Sequence, residues 1–306
     1  MPRPDPQPLP AMPRLAVNGI ELEVLLEGPA EAPPLLLIMG LGVPLTRWPR
    51  ALCEALLQRG FRLIRFDNRD AGLSTHLDHA PVPNLGAALR GMPLEPAYTL
   101  DDMAADCVGL LDALAIPRAH IAGASMGGAI AQIVAARYPQ RVLSLTSIMS
   151  SSGHPSLPPP TPAAAAALFA PLPRERQRDA IVADALQRYQ AIASPAYPED
   201  PQQLQAMFAA EYERSFDPRG VARQMAAILA HGDRRPLLAG IRAPTVVLHG
   251  AADPLIPPAC GEDVAAHIPG AELRLVPGMG HDFPAALAPV IADAIAAAAA
   301  RATLQP

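Results

Sequence analysis

The chain has 306 residues, half of them hydrophobic and 17% charged, with a formal net charge of -5. That is enough apolar material for a sizeable core, which excludes a disordered chain, and mild acidity without a basic cluster argues against nucleic acid as a partner. All 24 basic residues are arginine, so a Schiff-base lysine, a phosphate-loop lysine and a Ser-x-x-Lys nucleophile are excluded. In chain order, residues 1–14 are Pro-rich and read as a flexible tail. Leu15–Val17 and Ile20–Leu26 flank Asn18-Gly19 and predict a hairpin. The apolar run Leu35–Met39 reads as a strand buried on both faces. Trp48–Arg59 has helical spacing and stops at Gly60. Arg62–Phe66 is the next strand, followed by the loop Asp67–Gly72. Thr99 is the expected N-cap of a helix ending near Leu114. Ala119–Gly123, Met126–Tyr138 and Val142–Met149 then read as strand, helix and strand, a rhythm that means βαβ units and a mostly parallel sheet.

The rhythm breaks at Ser150. From there to about Pro236 the patterns are helical, over Ala163–Phe169, Arg174–Ala193, Gln202–Arg214 and Val221–His231. Strands resume at Thr245–Leu248 and Glu272–Val276, and an Ala-rich helix runs from about Pro284 to Ala300. The expected organisation is therefore an α/β core over 15–152 and 237–306, with a helical cap over 153–236 lying across one end of the sheet. Cys53, Cys107 and Cys260 form no C-x-x-C pair and are odd in number, so they read as buried thiols. The eight histidines lack ligand spacing, so no metal is expected. No run reaches 18 consecutive apolar residues and the start lacks the apolar stretch of a signal peptide, so the expectation is a cytoplasmic protein without a membrane partner.

The sharpest chemical signal is Gly123-Ala124-Ser125-Met126-Gly127, which directly follows a strand and directly opens a helix. A serine there stands on a sharp turn that tolerates only small neighbours and lifts its Oγ above the sheet. The helix N-terminus behind it offers N–H groups and a positive dipole end to a developing anion. A serine hydroxyl needs a base, and the base needs an orienting acid, in the chain order Ser, acid, His. Asp253, just past Thr245–Leu248, and His281, just past Glu272–Val276, meet that order. Both emerge at C-terminal strand edges, where open α/β sheets bind ligands. His249 precedes Asp253 and reads as a structural turn residue. His267 falls in a helical stretch, and Asp282 is too close in sequence to His281 to orient its ring. The loop Ser150–His154 contains no carboxylate to compete with Asp253.

An oxyanion hole needs two backbone donors. Met126, the residue after the nucleophile, supplies one N–H, and Leu41 in the loop Met39-Gly40-Leu41-Gly42 is the expected second. Gly40, Leu41, Met126 and His154 are the expected substrate-binding residues. Leu168, Phe169, Met207, Phe208, Met225 and Leu229 suggest a mostly apolar pocket beneath the cap.

At this point the sequence resembles the α/β-hydrolase superfamily over nearly its whole length, Leu15 to Ala300. The segments that carry the resemblance are Leu37–Gly40, Asp67–Ser74, Gly123–Gly128, His249–Asp253 and Gly280-His281. The Met-Gly start of the oxyanion loop and the Asp-x-Arg-Asp-x-Gly-x-Ser loop are similar to those of bacterial anthracycline methylesterases. Arg69 and Asp70 read as residues that fix that loop. The resemblance implies a serine carboxylester hydrolase acting without cofactor on small to medium, largely apolar esters, through Ser125, His281 and Asp253. Ser125 excludes the dehalogenase and epoxide-hydrolase activities, which use an Asp nucleophile. A carbon–carbon bond hydrolase, a cofactor-free perhydrolase or haloperoxidase, and a ligand receptor without turnover fit the same framework. Oligomeric state is not legible.

Overall fold

Asn18 and Gly19 both take positive φ, 46° and 77°. That is the requirement of a two-residue hairpin turn, and here it joins β1 (Arg14–Val17) to β2 (Ile20–Glu27). The computed structural model describes residues 14–88, 90–170, 173 and 177–303. Arg14, assigned to the tail by the sequence pattern, opens β1, and residues 1–13 lie outside the described residues. The chain continues through β3 (Pro34–Ile38), α1 (Arg50–Gln58), β4 (Arg62–Phe66), α2 (Leu85–Ala88) and α3 (Leu100–Ala113). It then passes through β5 (Ala119–Ala124), α4 (Met126–Arg137) and β6 (Val142–Ile148). Among the described residues, five helices follow with no strand between them: α5 (Pro162–Phe169), α6 (Arg178–Gln190), α7 (Pro201–Arg214), α8 (Pro218–His231) and α9 (Arg235–Leu238). Residues 174–176, the expected start of α6, lie outside the described residues. The chain ends with β7 (Thr245–Gly250), α10 (Pro258–His267), β8 (Glu272–Val276) and α11 (Ala288–Thr303).

The eight strands form one sheet in the order β1-β2-β4-β3-β5-β6-β7-β8. Only the β1–β2 and β2–β4 pairs are antiparallel; the other five are parallel. This is the α/β architecture expected from the alternation of strands and helices. Successive residues of β3 feed opposite cores. Leu36 and Ile38 pack with α3 and α4, whereas Leu35 and Leu37 pack with α1 and α11. A strand covered on both faces has no polar side to show, which is why the run is uniformly apolar. By length and composition alone, Ala285–Ala302 would suffice to cross a membrane. Its Ile291, Ile295 and Ala298 are instead buried in the second core.

Local signals behave as expected. Thr99 caps α3 in a reciprocal box: its Oγ1 accepts the Asp102 amide, and the Asp102 carboxylate accepts the Thr99 amide. The three cysteines are buried and free, and burial pushes the Cys53 thiol up to about 11. The helical insertion α5–α8 is closed at its neck, where the Arg234 amide donates to the Ser152 carbonyl at 2.8 Å.

His120 on β5 is buried, with Nδ1 2.8 Å from Ser144 Oγ and its ring edge-on to Phe61. Burial, with Arg118 adding to it, lowers its pKa from 6.5 to about 4. Between those values the unfolded chain binds a proton that the folded chain refuses, so stability falls as pH drops through that window. His120→Gln is expected to flatten this part of the pH dependence. Urea unfolding of both proteins at pH 7 and pH 4.5 checks it; equal losses would show that His120 does not contribute.

Candidate active site

Four parallel strands end on one rim, and each delivers one part of the site. Ser125 sits between β5 and α4 with φ 55° and ψ -120°, a strained backbone that the surrounding packing enforces. A Cβ on Gly123 would collide with the Gly127 carbonyl, and one on Gly127 would collide with the Ile38 carbonyl. The turn therefore accepts only glycine at those two positions. Ser150 Oγ donates to the Ser125 carbonyl at 2.8 Å and ties the turn to the end of β6.

His281 follows β8, and its Nε2 lies 3.0 Å from Ser125 Oγ. Its Nδ1 lies 2.7 Å from Asp253 Oδ2, past the end of β7. The other Asp253 oxygen accepts the Leu255 and Ile256 amides, both at 2.9 Å, so the carboxylate is fully engaged and cannot swing away. The His281 amide donates to the Ile192 carbonyl at 2.8 Å, which fixes the loop behind the ring. The three residues chosen from the sequence thus form one hydrogen-bonded chain. Asp282 turns from the His281 ring and accepts the Ser194 amide and hydroxyl and the Tyr189 hydroxyl. Burial raises its carboxyl above the usual range, although the Ser194 and Tyr189 bonds work against this. His249 is buried with Nε2 2.8 Å from the Ile256 carbonyl, and burial lowers its pKa. It stays outside the Ser125–His281–Asp253 chain.

The loop after β3 runs beside the serine. A Cβ on Gly40 would lie 3.3 Å from Ser125 Cβ. Among the described residues, neither the Leu41 nor the Met126 amide donates to a protein acceptor. A cavity of about 820 Å³ opens over Ser125 and His281, within the range of small-molecule sites. Gly40, Leu41, Met126 and His154 all line it. The insertion contributes Leu168, Phe169, Met207, Met225 and Leu229 to its wall. Phe208 does not line it and packs with Val182 and Leu204 instead. One part of the wall is polar, with Arg47, Tyr189, Glu199 and Asp282.

Residues 67–70 bind three helices and the loop after β3. Asp67 accepts the Leu45 and Leu73 amides and pairs with Arg214 of α7. Asn68 Nδ2 donates to the Met39 carbonyl at 2.9 Å. Arg69 makes a two-pronged bond to Asp106 of α3, and Asp70 accepts one from Arg223 of α8. The sequence reading of Arg69 and Asp70 named the loop's anchors but not their partners. Arg223 and its neighbour Gln224 were missed. Their signal was there: both fall on the α8 face of Gly220 and Ala227, where a buried helix stripe carries no polar residue without a partner. Asp70, His76 and Asp217 stand close enough together for a metal, but the Arg223 guanidinium already lies 2.7 Å from Asp70 and 3.5 Å from Asp217.

This rim, turn and order of residues define the class. The profile of the alpha/beta hydrolase fold family matches residues 33–284, and the chain belongs to that family. Its relatives include rhodomycin D methylesterase DnrP of Streptomyces peucetius, 27% identical, with 96% of this chain and 100% of that protein covered. The 2-hydroxymuconate semialdehyde hydrolase of Pseudomonas sp. strain CF600 is 31% identical over 88% of this chain and 89% of its own. Among solved structures, the enol-lactonase from Burkholderia xenovorans LB400 superposes with a TM-score of 0.70 at 28% identity, covering 96% of this chain and 100% of that one. The expected likeness to bacterial methylesterases is borne out.

The Asp70–Arg223 pair is fully buried. Burial alone would push the Asp70 carboxyl up, but the Arg223 bonds and the Leu77 amide outweigh it and hold the group below the usual range. Arg223→Met is expected to cost about 3–5 kcal/mol, because it strands a buried carboxylate. Adding Asp70→Asn should recover part of that loss. Urea unfolding of the double-mutant cycle checks it; strictly additive losses would show that the two residues are not coupled.

Proposed function

We propose that this chain is a serine carboxylester hydrolase. The observation that carries the reading is the continuous bond chain Asp253–His281–Ser125, opening into a largely apolar cavity. The names methylesterase and enol-lactonase among its relatives support ester cleavage. Ser125 Oγ attacks the ester carbonyl carbon while His281 Nε2 takes its proton. Asp253 holds the imidazole with Nδ1–H toward the carboxylate and stabilises the imidazolium that forms. The carbonyl oxygen becomes an oxyanion and receives the Leu41 and Met126 amides. His281 then protonates the leaving alcohol. Water, activated by the same imidazole, releases the acid from the acyl-enzyme. No cofactor enters these steps.

The helices α5–α8 act as a cap that selects the substrate. Leu168, Met207, Met225 and Leu229 favour small to medium esters of largely apolar carriers. Gly40 and His154 line the same space and complete the substrate-binding set. The relative acting as a semialdehyde hydrolase supports a second reading, in which the same three residues cleave a carbon–carbon bond of a ring-fission product.

The test is hydrolysis of p-nitrophenyl and methyl esters of increasing chain length. Ser125→Ala is expected to lower kcat by about 10⁶ and Asp253→Asn by about 10⁴. A wild type inert toward every ester, yet able to cleave a vinylogous diketone, would replace the ester reading with the second one.

A further inference from the structure

Helix α8 does more than wall the cavity. Its Gln224 is completely buried and reaches down to the loop beside Ser125. The Gln224 Oε1 accepts the Gly42 amide at 2.6 Å, and its Nε2 donates to the Arg69 carbonyl at 2.7 Å. Gly42 has φ 67°, and a Cβ there would press on Val221 of the same helix, so the loop and α8 are in direct contact. On the other side of Leu41, the Met39 carbonyl is held by Asn68 Nδ2. Two side chains therefore bracket the Leu41 amide, one from the core and one from the insertion. The Val43 amide closes a turn across Leu41 and Gly42 onto the Gly40 carbonyl at 3.3 Å.

A backbone donor cannot choose its own direction; the peptide planes on either side choose it. Held at Met39 and at Gly42, the segment has little freedom to rotate the Leu41 N–H away from Ser125. Both Gln224 bonds are made to backbone groups, so each is lost if α8 lifts. The adjacent Arg223–Asp70 pair fastens the helix in that position.

Resting on the reading of Leu41 as an oxyanion donor, we infer that Gln224 is a positioning residue for the oxyanion hole. The hole is complete only while α8 is docked. Substrate selection and transition-state stabilisation thereby share one helix. Gln224 touches no reacting atom; it acts through Gly42.

The variants Gln224→Met, similar in size without hydrogen bonds, and Gln224→Glu, which keeps the acceptor toward Gly42, test this in the full-length protein. Gln224→Met is expected to lower kcat about 10–100-fold with KM changed less than about 3-fold, short of the 10²–10³ for removing a donor outright. Gln224→Glu should lie between it and the wild type. Phosphonylation of Ser125 by an alkyl fluorophosphonate, followed by intact mass, reads the same hole without any substrate. Its rate should fall in parallel in Gln224→Met, and melting temperatures measured alongside report folding. Equal phosphonylation and kcat in a folded Gln224→Met would overturn the inference while leaving the ester-hydrolase reading in place. If Gln224→Met does not fold, a folded Gln224→Ala, which also lacks the acceptor toward Gly42, with wild-type rates overturns it equally. A wild type that is not labelled at Ser125 would remove the reading beneath it as well.

Discussion

The site depends on how closely two backbones approach each other. At residues 123–128 the strand-to-helix turn lies against the end of β3 with no volume left for a Cβ at Gly123 or Gly127. That contact forces Ser125 into positive φ and puts it next to Gly40. A strained residue persists only when its surroundings over-determine it, and here they do so from three sides. The β3–β5 pairing, the Ser150 hydroxyl and the start of α4 each constrain the turn. The parallel registers from β5 through β8 then carry the ends of β7 and β8 to the same rim, which brings Asp253 and His281 to the serine.

A second layer of order is ionic and lies beside that rim. Arg69–Asp106 and Arg223–Asp70 are buried pairs with planar, two-pronged geometry. Such pairs add little net stability, since desolvation consumes most of the attraction, but they are intolerant of displacement. They connect the loop 67–70 to α3 and α8, and Asn68 links that loop to Met39. Position, rather than stability, is what this network supplies. Having no lysine, the chain makes all these contacts with the side chain best suited to forked carboxylate recognition.

Much of this was legible in the sequence, and the boundary of legibility has physical causes. Strands such as Leu35–Met39 announced themselves because a strand buried on both sides must be apolar throughout. Asn18-Gly19 and Thr99 followed from turn and cap chemistry that acts over three or four residues. Ser125, Asp253 and His281 were singled out by their places at strand ends, and the structure brings them within hydrogen-bonding distance. Gln224 and Arg223 show in the sequence only as polar residues on a buried stripe of α8; what they hold lies 182 and 153 residues away and comes near only in the folded chain. Phe208 looked like a cavity residue because apolar composition does not say which face of α7 turns inward. It packs instead within the insertion, under the Arg47 guanidinium.

The closed neck of the helical insertion has an evolutionary consequence. Because the chain leaves and re-enters the core at one point, where Arg234 meets Ser152, the length between them is nearly free to drift. Loop-closure entropy grows only with the logarithm of length, about 0.6 kcal/mol for each doubling. Helices can be gained, lost or exchanged there without shifting a strand of the sheet. The drift has fixed stops. A segment of any other length at this neck that kept the present site would still have to offer arginines to Asp67 and Asp70, a side-chain amide to Gly42 and a carbonyl to the His281 amide.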